Sequence, residues 1–194
     1  GQRQVLQDQF SGFVRDSFEY ADTVHQWTVG LNSERAELDA QSQFSFGNFA
    51  ARGTQSSYAV FITDDVTVSE SLRVNAGYRV ERFYQYRYDM GPFVPTESST
   101  RRDFNLEALE LGFAKSLTDE LTGFGKYNKG YRVPNVDEND PAARPPTGSF
   151  LNPQRSKELE AGMRRRSGQQ EQVVRLFKIW LDDEIANVSF TNIN

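Results

Sequence analysis

Cysteine is absent from this 194-residue chain, histidine occurs once, and no stretch approaches the ~18 consecutive apolar residues that a membrane-crossing helix needs. Without cysteine there is neither a disulfide framework nor a thiolate metal site. With His25 as the single imidazole, a Ser-His-acid triad or a histidine-built metal centre has little support, and His25 itself reads as a half-exposed polar residue. Excess basic charge is missing too: 22 Lys and Arg stand against 27 Asp and Glu, a formal net charge of −5. That balance offers no stripe to neutralise phosphates along a nucleic acid, so no nucleic-acid partner is expected. Residues Gly1 to Phe10 lack the charged-then-apolar pattern of a signal peptide, so either the chain is cytoplasmic or its targeting segment lies outside this stretch. Mean hydropathy is low, −0.66. This excludes no membrane role, because strands of a transmembrane barrel alternate lipid-facing and lumen-facing residues and average out on any hydropathy scale. What the chain does have is aromatics: fifteen Phe, eight Tyr and two Trp are too many for a disordered segment.

The clearest pattern is a period of two from Leu72 to Tyr88. Leu72, Val74, Ala76, Tyr78, Val80, Tyr84, Tyr86 and Tyr88 fall on one face with Arg82, while Arg73, Asn75, Gly77, Arg79, Glu81, Gln85 and Arg87 fall on the other. At about 3.3 Å per residue this run spans roughly 55 Å, far longer than the 5 or 6 residues of an ordinary globular strand. Strands of that length belong in large barrels, and the three tyrosines sit where an aromatic girdle would meet a membrane interface. Weaker alternation places Trp27, Val29 and Leu31 together, then Tyr58, Val60, Ile62, Val66 and Val68 with Asp64 interrupting. Leu109, Leu111 and Phe113 share a face, as do Val173, Phe177, Ile179 and Leu181 with Arg175 intruding.

Eight strands are predicted, over 10–20, 23–35, 57–68, 71–88, 103–117, 121–132, 156–166 and 171–186. Short connections (Ser69-Glu70, Thr118 to Glu120, Ser167 to Gln170) alternate with long ones near 36–57, 89–102 and 133–155. An up-and-down barrel with tight turns at one end and long loops at the other produces that alternation. Two windows, 103–115 and 156–166, are rich in helix formers, and periodicity alone leaves them open between helix and strand.

From Leu117 onward the chain resembles the TonB-dependent outer-membrane receptors. LTDELTGFGKYNKGYRVPNVDE, residues 117–138, is similar to that family's turn, up-going strand and aromatic-Arg-x-Pro motif, here Tyr131-Arg132-Val133-Pro134. FLNPQRSKELEAGMR, residues 150–164, resembles a shortened form of its Asn-Pro return strand, with Gln154 in place of a glutamate. FKIWLDDEIANV, residues 177–188, is similar to the strand that follows. Upstream, the hairpin of residues 58–81 ends in Gly77-x-Arg79-x-Glu81, like the family's Gly-x-Arg-x-Glu. The resemblance is clearest over 58–188 and implies that both ambiguous windows are strands. It implies an all-β fold, an antiparallel up-and-down transmembrane β-barrel segment of about eight strands from a larger barrel, with 1–194 forming barrel wall. Nothing resembles the plug domain or a TonB box, and Asn194 is not the usual aromatic terminus, so the chain looks like an internal slice whose edges require further strands.

The function so implied is uptake rather than chemistry, with no catalytic residues, no resident metal and no cofactor. The cargo would be a scarce solute, above all an iron chelate such as a ferric siderophore or ferric citrate. Energy would come from the TonB energy-transducing protein through a plug domain that this chain lacks. Such chelates are commonly anionic, which makes Arg101, Arg102, Arg132 and Arg144 at the outer mouth the candidate ligand-binding residues. The same arginines could instead meet outer-membrane lipid and lipopolysaccharide, or be solvated. Haem is disfavoured, since 135–149 contains no histidine. Paired carboxylates at Asp64-Asp65, Asp137-Glu138 and Asp182-Asp183 should point to opposite faces and not converge. The acidic run 135–140 lacks the spacing of a calcium loop. The competing reading is a soluble or surface-exposed β-rich glycan-binding module that uses Trp27, Trp180 and the tyrosine cluster as an aromatic platform.

Overall fold

The computed structural model describes residues 2–44, 47–90, 98–135, 151–188 and 191–193, and among them no helix occurs. Eight strands hydrogen-bond in sequence order into one antiparallel sheet: β1 Gln2–Tyr20, β2 Thr23–Phe44, β3 Gly47–Ser69, β4 Leu72–Met90, β5 Ser98–Ser116, β6 Leu121–Arg132, β7 Gln154–Ser167 and β8 Gln170–Asp182. A separate short hairpin joins β9 (Ala186–Val188) to β10 (Thr191–Ile193). All eight expected strands are present, and both helix-prone windows are strands, β5 and β7, each laddered on two sides. The long connection expected at 36–57 is corrected. β2 runs on to Phe44 and β3 begins at Gly47, in unbroken register from Val24↔Thr67 to Phe44↔Gly47. β1 likewise starts at Gln2 rather than 10, and β8 ends at Asp182, where Asp183 turns to φ 54°.

Tight turns close one end. Ala21 and Asp22 both take the left-handed conformation (φ 48° and 64°), as a two-residue hairpin that follows the strand twist requires. Two turns further along that end, between β5 and β6, Glu120 accepts a hydrogen bond from the Ser167 hydroxyl and is paired with Arg165 at 3.1 Å, which together hold its carboxyl below the usual range. That link between the β5–β6 and β7–β8 turns is therefore present at neutral pH and lost as pH falls through the depressed carboxyl value.

Cross-strand partners share a face, so the register assigns every row. One face carries Val29, Ile62, Tyr78 and Leu109 in a single row, with Val60, Val80, Leu111, Phe113, Leu159, Met163 and Leu176 in adjoining rows. These side chains stand exposed, Phe113 to 52% and Leu176 to 79%, and a surface so apolar demands a lipid neighbour. From β2 to β7 the opposite face is largely polar and cross-linked from strand to strand, Arg15 of β1 reaching Thr28, Asn75 and Lys126 reaching Glu110, and Asn128 reaching Glu158; on β8 it carries Val173, Phe177, Ile179 and Leu181, partners of Arg164, Glu160, Glu158 and Ser156. It is also the concave face, enclosing a hollow of about 550 Å³ that reaches from Gln26 on β2 to Arg164 on β7. Glycines let aromatic rings lie flat on both faces. A Cβ at Gly125 would come within 2.6 Å of the Phe113 ring, and one at Gly162 within 2.5 Å of the Phe124 ring.

The alternation then reverses. On β2 the outward residues pass from Val29 and Leu31 to Ser33, Arg35, Glu37 and Asp39, while the concave ones pass from Thr28, Asn32 and Glu34 to Ala36, Leu38 and Ala40. β4 does the same, Val80 giving way outward to Arg82, and Glu81 giving way inward to Phe83, which is 2% exposed. Ala36, Leu38, Ala40 and Ala51 form a buried cluster on the concave side. Outward at that level lie the ion pairs Arg35–Glu37 (2.6 Å), Arg52–Asp39 (3.4 Å) and Arg82–Asp103 (3.5 Å). Leu72 to Val80 is thus the membrane segment of β4, nine residues against the 9 to 11 that a tilted barrel strand needs.

Arginine at Ala76 in the full-length protein is expected to cost about 2–4 kcal/mol of barrel stability, whereas arginine at Tyr84, beyond the reversal, is expected to cost within about 1 kcal/mol. Urea midpoints of the two variants, read by heat-modifiable electrophoretic mobility, check this. Equal penalties would move the boundary.

Candidate functional site: the inner wall of the outer mouth

The reversal makes the end of the sheet away from the tight turns a water-facing rim, and the segments after β6 and before β7 fold onto its inner wall. Val133 and Asn135 line a small cavity of about 170 Å³ together with Glu34, Gln55, Ser57, Glu81 and Phe83 of β2, β3 and β4. Pro134 is fully buried and Leu151 nearly so. On the return side the Arg102 guanidinium donates to Asn152 Oδ1 at 3.3 Å. Both roots of this connection are therefore fastened inward.

The fastening centres on three side chains. Glu81, 8% exposed at its side chain, accepts from Arg79 at 2.7 Å and from the Tyr131 hydroxyl at 2.6 Å, and Arg79 Nε donates to the Tyr131 oxygen at 3.1 Å. Tyr131 is on β6 and its partners are on β4, so the ring reaches across β5. This is possible because the β5–β6 ladder stops at Leu109↔Lys129 and the strands part above it. Two motifs 50 residues apart, Gly-x-Arg-x-Glu and aromatic-Arg-x-Pro, meet in one hydrogen-bonded triad. Both motifs are visible in the sequence but their contact is not; the signals for it are a carboxylate on a lumen-facing position, Glu81, and a hydroxyl at the loop root, Tyr131.

The four predicted arginines do not gather. Arg101 pairs across the sheet with Tyr86 on the outward face and is exposed. Arg102 faces the concave wall, its guanidinium 5.7 Å from the Phe104 ring centre. Arg132 ends β6 opposite Gln154 and is exposed. Arg144, like most of the acidic run 135–140, lies outside the described residues. Asp64 and Asp65 diverge as expected: Asp65 lines the concave hollow, while Asp64 faces outward and binds His25 at 2.7 Å. The Phe18 ring stacks on His25 at 4.8 Å, with Trp27 one row further up β2, giving the turn-side end of the lipid face its own aromatic border. No aromatic platform forms, since Trp27 is on β2, Trp180 on β8, and Tyr84, Tyr86 and Tyr88 on β4 face outward in the charged zone just above the apolar band. Among the described residues no group of three or more His, Asp or Glu side chains could hold a metal ion.

A lipid-facing band, a polar concave wall and an inward-folded rim are the parts of a large outer-membrane barrel. The model of the TonB dependent receptor-like β-barrel family matches residues 2–194. The chain belongs to the TonB-dependent receptor β-barrel family. Its fold is also that of solved structures. The ferric yersiniabactin uptake receptor of Yersinia pestis superposes with a TM-score of 0.74 at 13% identity, over 96% of this chain and 30% of that one. A ferric citrate transporter gives 0.76 at 13% identity, over 98% and 30%. The alcaligin outer-membrane receptor of Bordetella pertussis gives 0.69 at 18% identity, over 95% and 30%. A search of curated proteins finds no match. The chain spans about a third or less of the length of these structures, and at such identities the likeness is one of fold.

Tyr131→Phe deletes two hydrogen bonds of the triad, one of them to a carboxylate, and is expected to lower stability by about 1.5–3 kcal/mol. Glu81→Gln in the same background should add little. Strictly additive losses in this double-mutant cycle would mean that the three groups do not act together.

Proposed function

We propose that the chain is barrel wall of a bacterial outer-membrane receptor that takes up a scarce solute, an iron chelate of the ferric siderophore or ferric citrate kind. The whole of 1–194 serves as wall on this reading. Uptake is coupled to the TonB energy-transducing protein through a plug domain outside this chain, and the outward face meets outer-membrane lipid and lipopolysaccharide. The observation that carries the reading is the pairing of a lipid-facing band with a polar concave wall whose outer end is narrowed by inward-folded loop roots. A wall of that kind guides a solute through the sheet's hollow rather than transforming it. Family membership supports it, and so do three neighbours whose names specify ferric yersiniabactin, ferric citrate and alcaligin.

Arg102 and Arg132 are the proposed contacts for an anionic chelate, through charge-assisted hydrogen bonds. Arg144 stays in the proposal as a residue of the same connection. Arg101 faces away from the hollow and leaves the set of cargo ligands for the lipid side. In a strain that carries the full-length protein as its only iron receptor, Arg102→Ala and Arg132→Ala are each expected to weaken chelate binding about tenfold, a loss of roughly 1.4 kcal/mol. Arg101→Ala is expected to leave it unchanged. Growth on single ferric chelates and radiolabelled iron uptake measure both. Normal growth of a full deletion on every iron chelate tested would reject iron as cargo.

A further inference from the structure

The arginine contacts proposed for the cargo stand at the outer mouth, and the concave hollow near the tight turns has no role of its own in that reading. It is a separate place. Arg73, which lines the hollow, and Gln85, the cross-strand partner of Arg102, lie on the order of 40 Å apart along β4. The floor of the hollow is flat. The Phe124 ring lies on Gly162, where a Cβ would come within 2.5 Å of it, and the Asn75 side chain lies on Gly112, where a Cβ would come within 2.3 Å. Ala114, the direct partner of Phe124, raises only a methyl group beside the ring. Phe124, Asn75, Gly112 and Ala114 all line the same space of about 550 Å³.

The rim is cationic. Arg73 on β4, Lys126 on β6 and Arg164 on β7 stand against one lining carboxylate, Asp65. Lys126 is engaged by Glu110 at 3.3 Å and Arg164 by Glu171 at 3.6 Å, two carboxylates from beyond the lining. Arg73 and Asp65 are one row apart on neighbouring strands, and among the described residues neither has a hydrogen-bond or ion-pair partner. An aromatic and amide floor edged by cations matches one class of occupant, a planar aromatic ring with negative charge on its perimeter. Such a ring stacks on Phe124 in an offset manner while its charged oxygens accept from Arg73 and Lys126. The hollow falls within the roughly 300–1,000 Å³ of small-molecule sites.

We propose that the turn-side hollow binds a planar aromatic anion of the catecholate type, as a second station for the cargo after the mouth. The proposal rests on the uptake reading and narrows it, since a chelate with aromatic, anionic arms matches both floor and rim, whereas citrate has no ring to stack. Equilibrium dialysis of the purified full-length protein tests it, with 2,3-dihydroxybenzoate and citrate as probes. The wild type is expected to bind dihydroxybenzoate and to bind citrate about fivefold more weakly. Phe124→Ala removes the stacking surface and is expected to weaken dihydroxybenzoate about fivefold, and Arg73→Gln about tenfold. If Phe124→Ala does not fold, Ala114→Leu gives the same reading by filling the floor from its open side, with binding lost. Equal affinity for citrate overturns the aromatic assignment in favour of a general anion site. Absence of dihydroxybenzoate binding overturns the proposal, as does binding that Phe124→Ala and Ala114→Leu leave unchanged. Normal growth of a full deletion on every iron chelate, with dihydroxybenzoate still bound by the purified protein, would sink the cargo reading and leave the binding site standing.

Discussion

A single sheet here serves two surroundings, and the constraint on which everything else depends is that its side-chain alternation changes phase where the surroundings change. A strand offers one residue in two to each face. Within the bilayer the outward set must be apolar and the concave set can be wet; beyond it the outward set must be wet, and the concave set is free to bury itself. Val80 followed by Arg82, with Glu81 followed by Phe83, carries out this exchange on β4 without a bulge or a break in register. β2 and β3 make the same exchange at Leu31 to Arg35 and at Tyr58 to Ser56.

Two consequences follow from that exchange. The outer ends of β2, β3 and β4 behave as an ordinary soluble sheet, with Ala36, Leu38, Ala40 and Ala51 as their core, so the mouth is packed on this side rather than an open funnel. The ion pairs at the same level lie on the outward face and are largely exposed. Each is worth at most about 1 kcal/mol and matters more as a marker of depth than as a source of stability. The buried triad of Arg79, Glu81 and Tyr131 is another matter, because its carboxylate would be costly without both donors. It stands at the level where the concave face turns apolar, and it fixes where the chain leaves β6 for the loop.

Much of the fold was legible in residue order, and the misses have one cause. Leu72 to Tyr88 read as a long strand because its lipid-facing residues are large, and the short connections read at Ser69-Glu70 and at Ser167 to Gln170 lie within a residue or two of the turns that the structure shows. The extensions of β2 and β3 were hidden because, outside the membrane, the inward set is largely small (Ala36, Ala40, Ala51 and Gly53) and the outward set is polar or charged, and that of β1 because residues 2–9 carry only Val5 and Leu6 as apolar residues, on opposite faces. Such a stretch resembles a polar loop unless the reversal of phase is noticed. The helix propensity of 103–115 and 156–166 was overridden by ladders on both sides, a non-local effect that no window of sequence contains. At the site, Arg102 was placed facing inward, while Arg101, its neighbour, necessarily faces out. Adjacent strand residues cannot both line one wall, and only the register decides which of them does.

The central claim is that the membrane boundary lies at the phase reversal between Val80 and Tyr84. Single spin labels at outward positions Val74, Ala76, Tyr78, Val80, Tyr84, Tyr86 and Tyr88 of the full-length protein in lipid bilayers would test it by accessibility to oxygen and to a water-soluble nickel chelate. Oxygen should dominate from Val74 to Val80 and the nickel chelate from Tyr84 onward. Lipid-like accessibility that continued through Tyr88, or water-like accessibility at Val74 to Tyr78, would contradict the account.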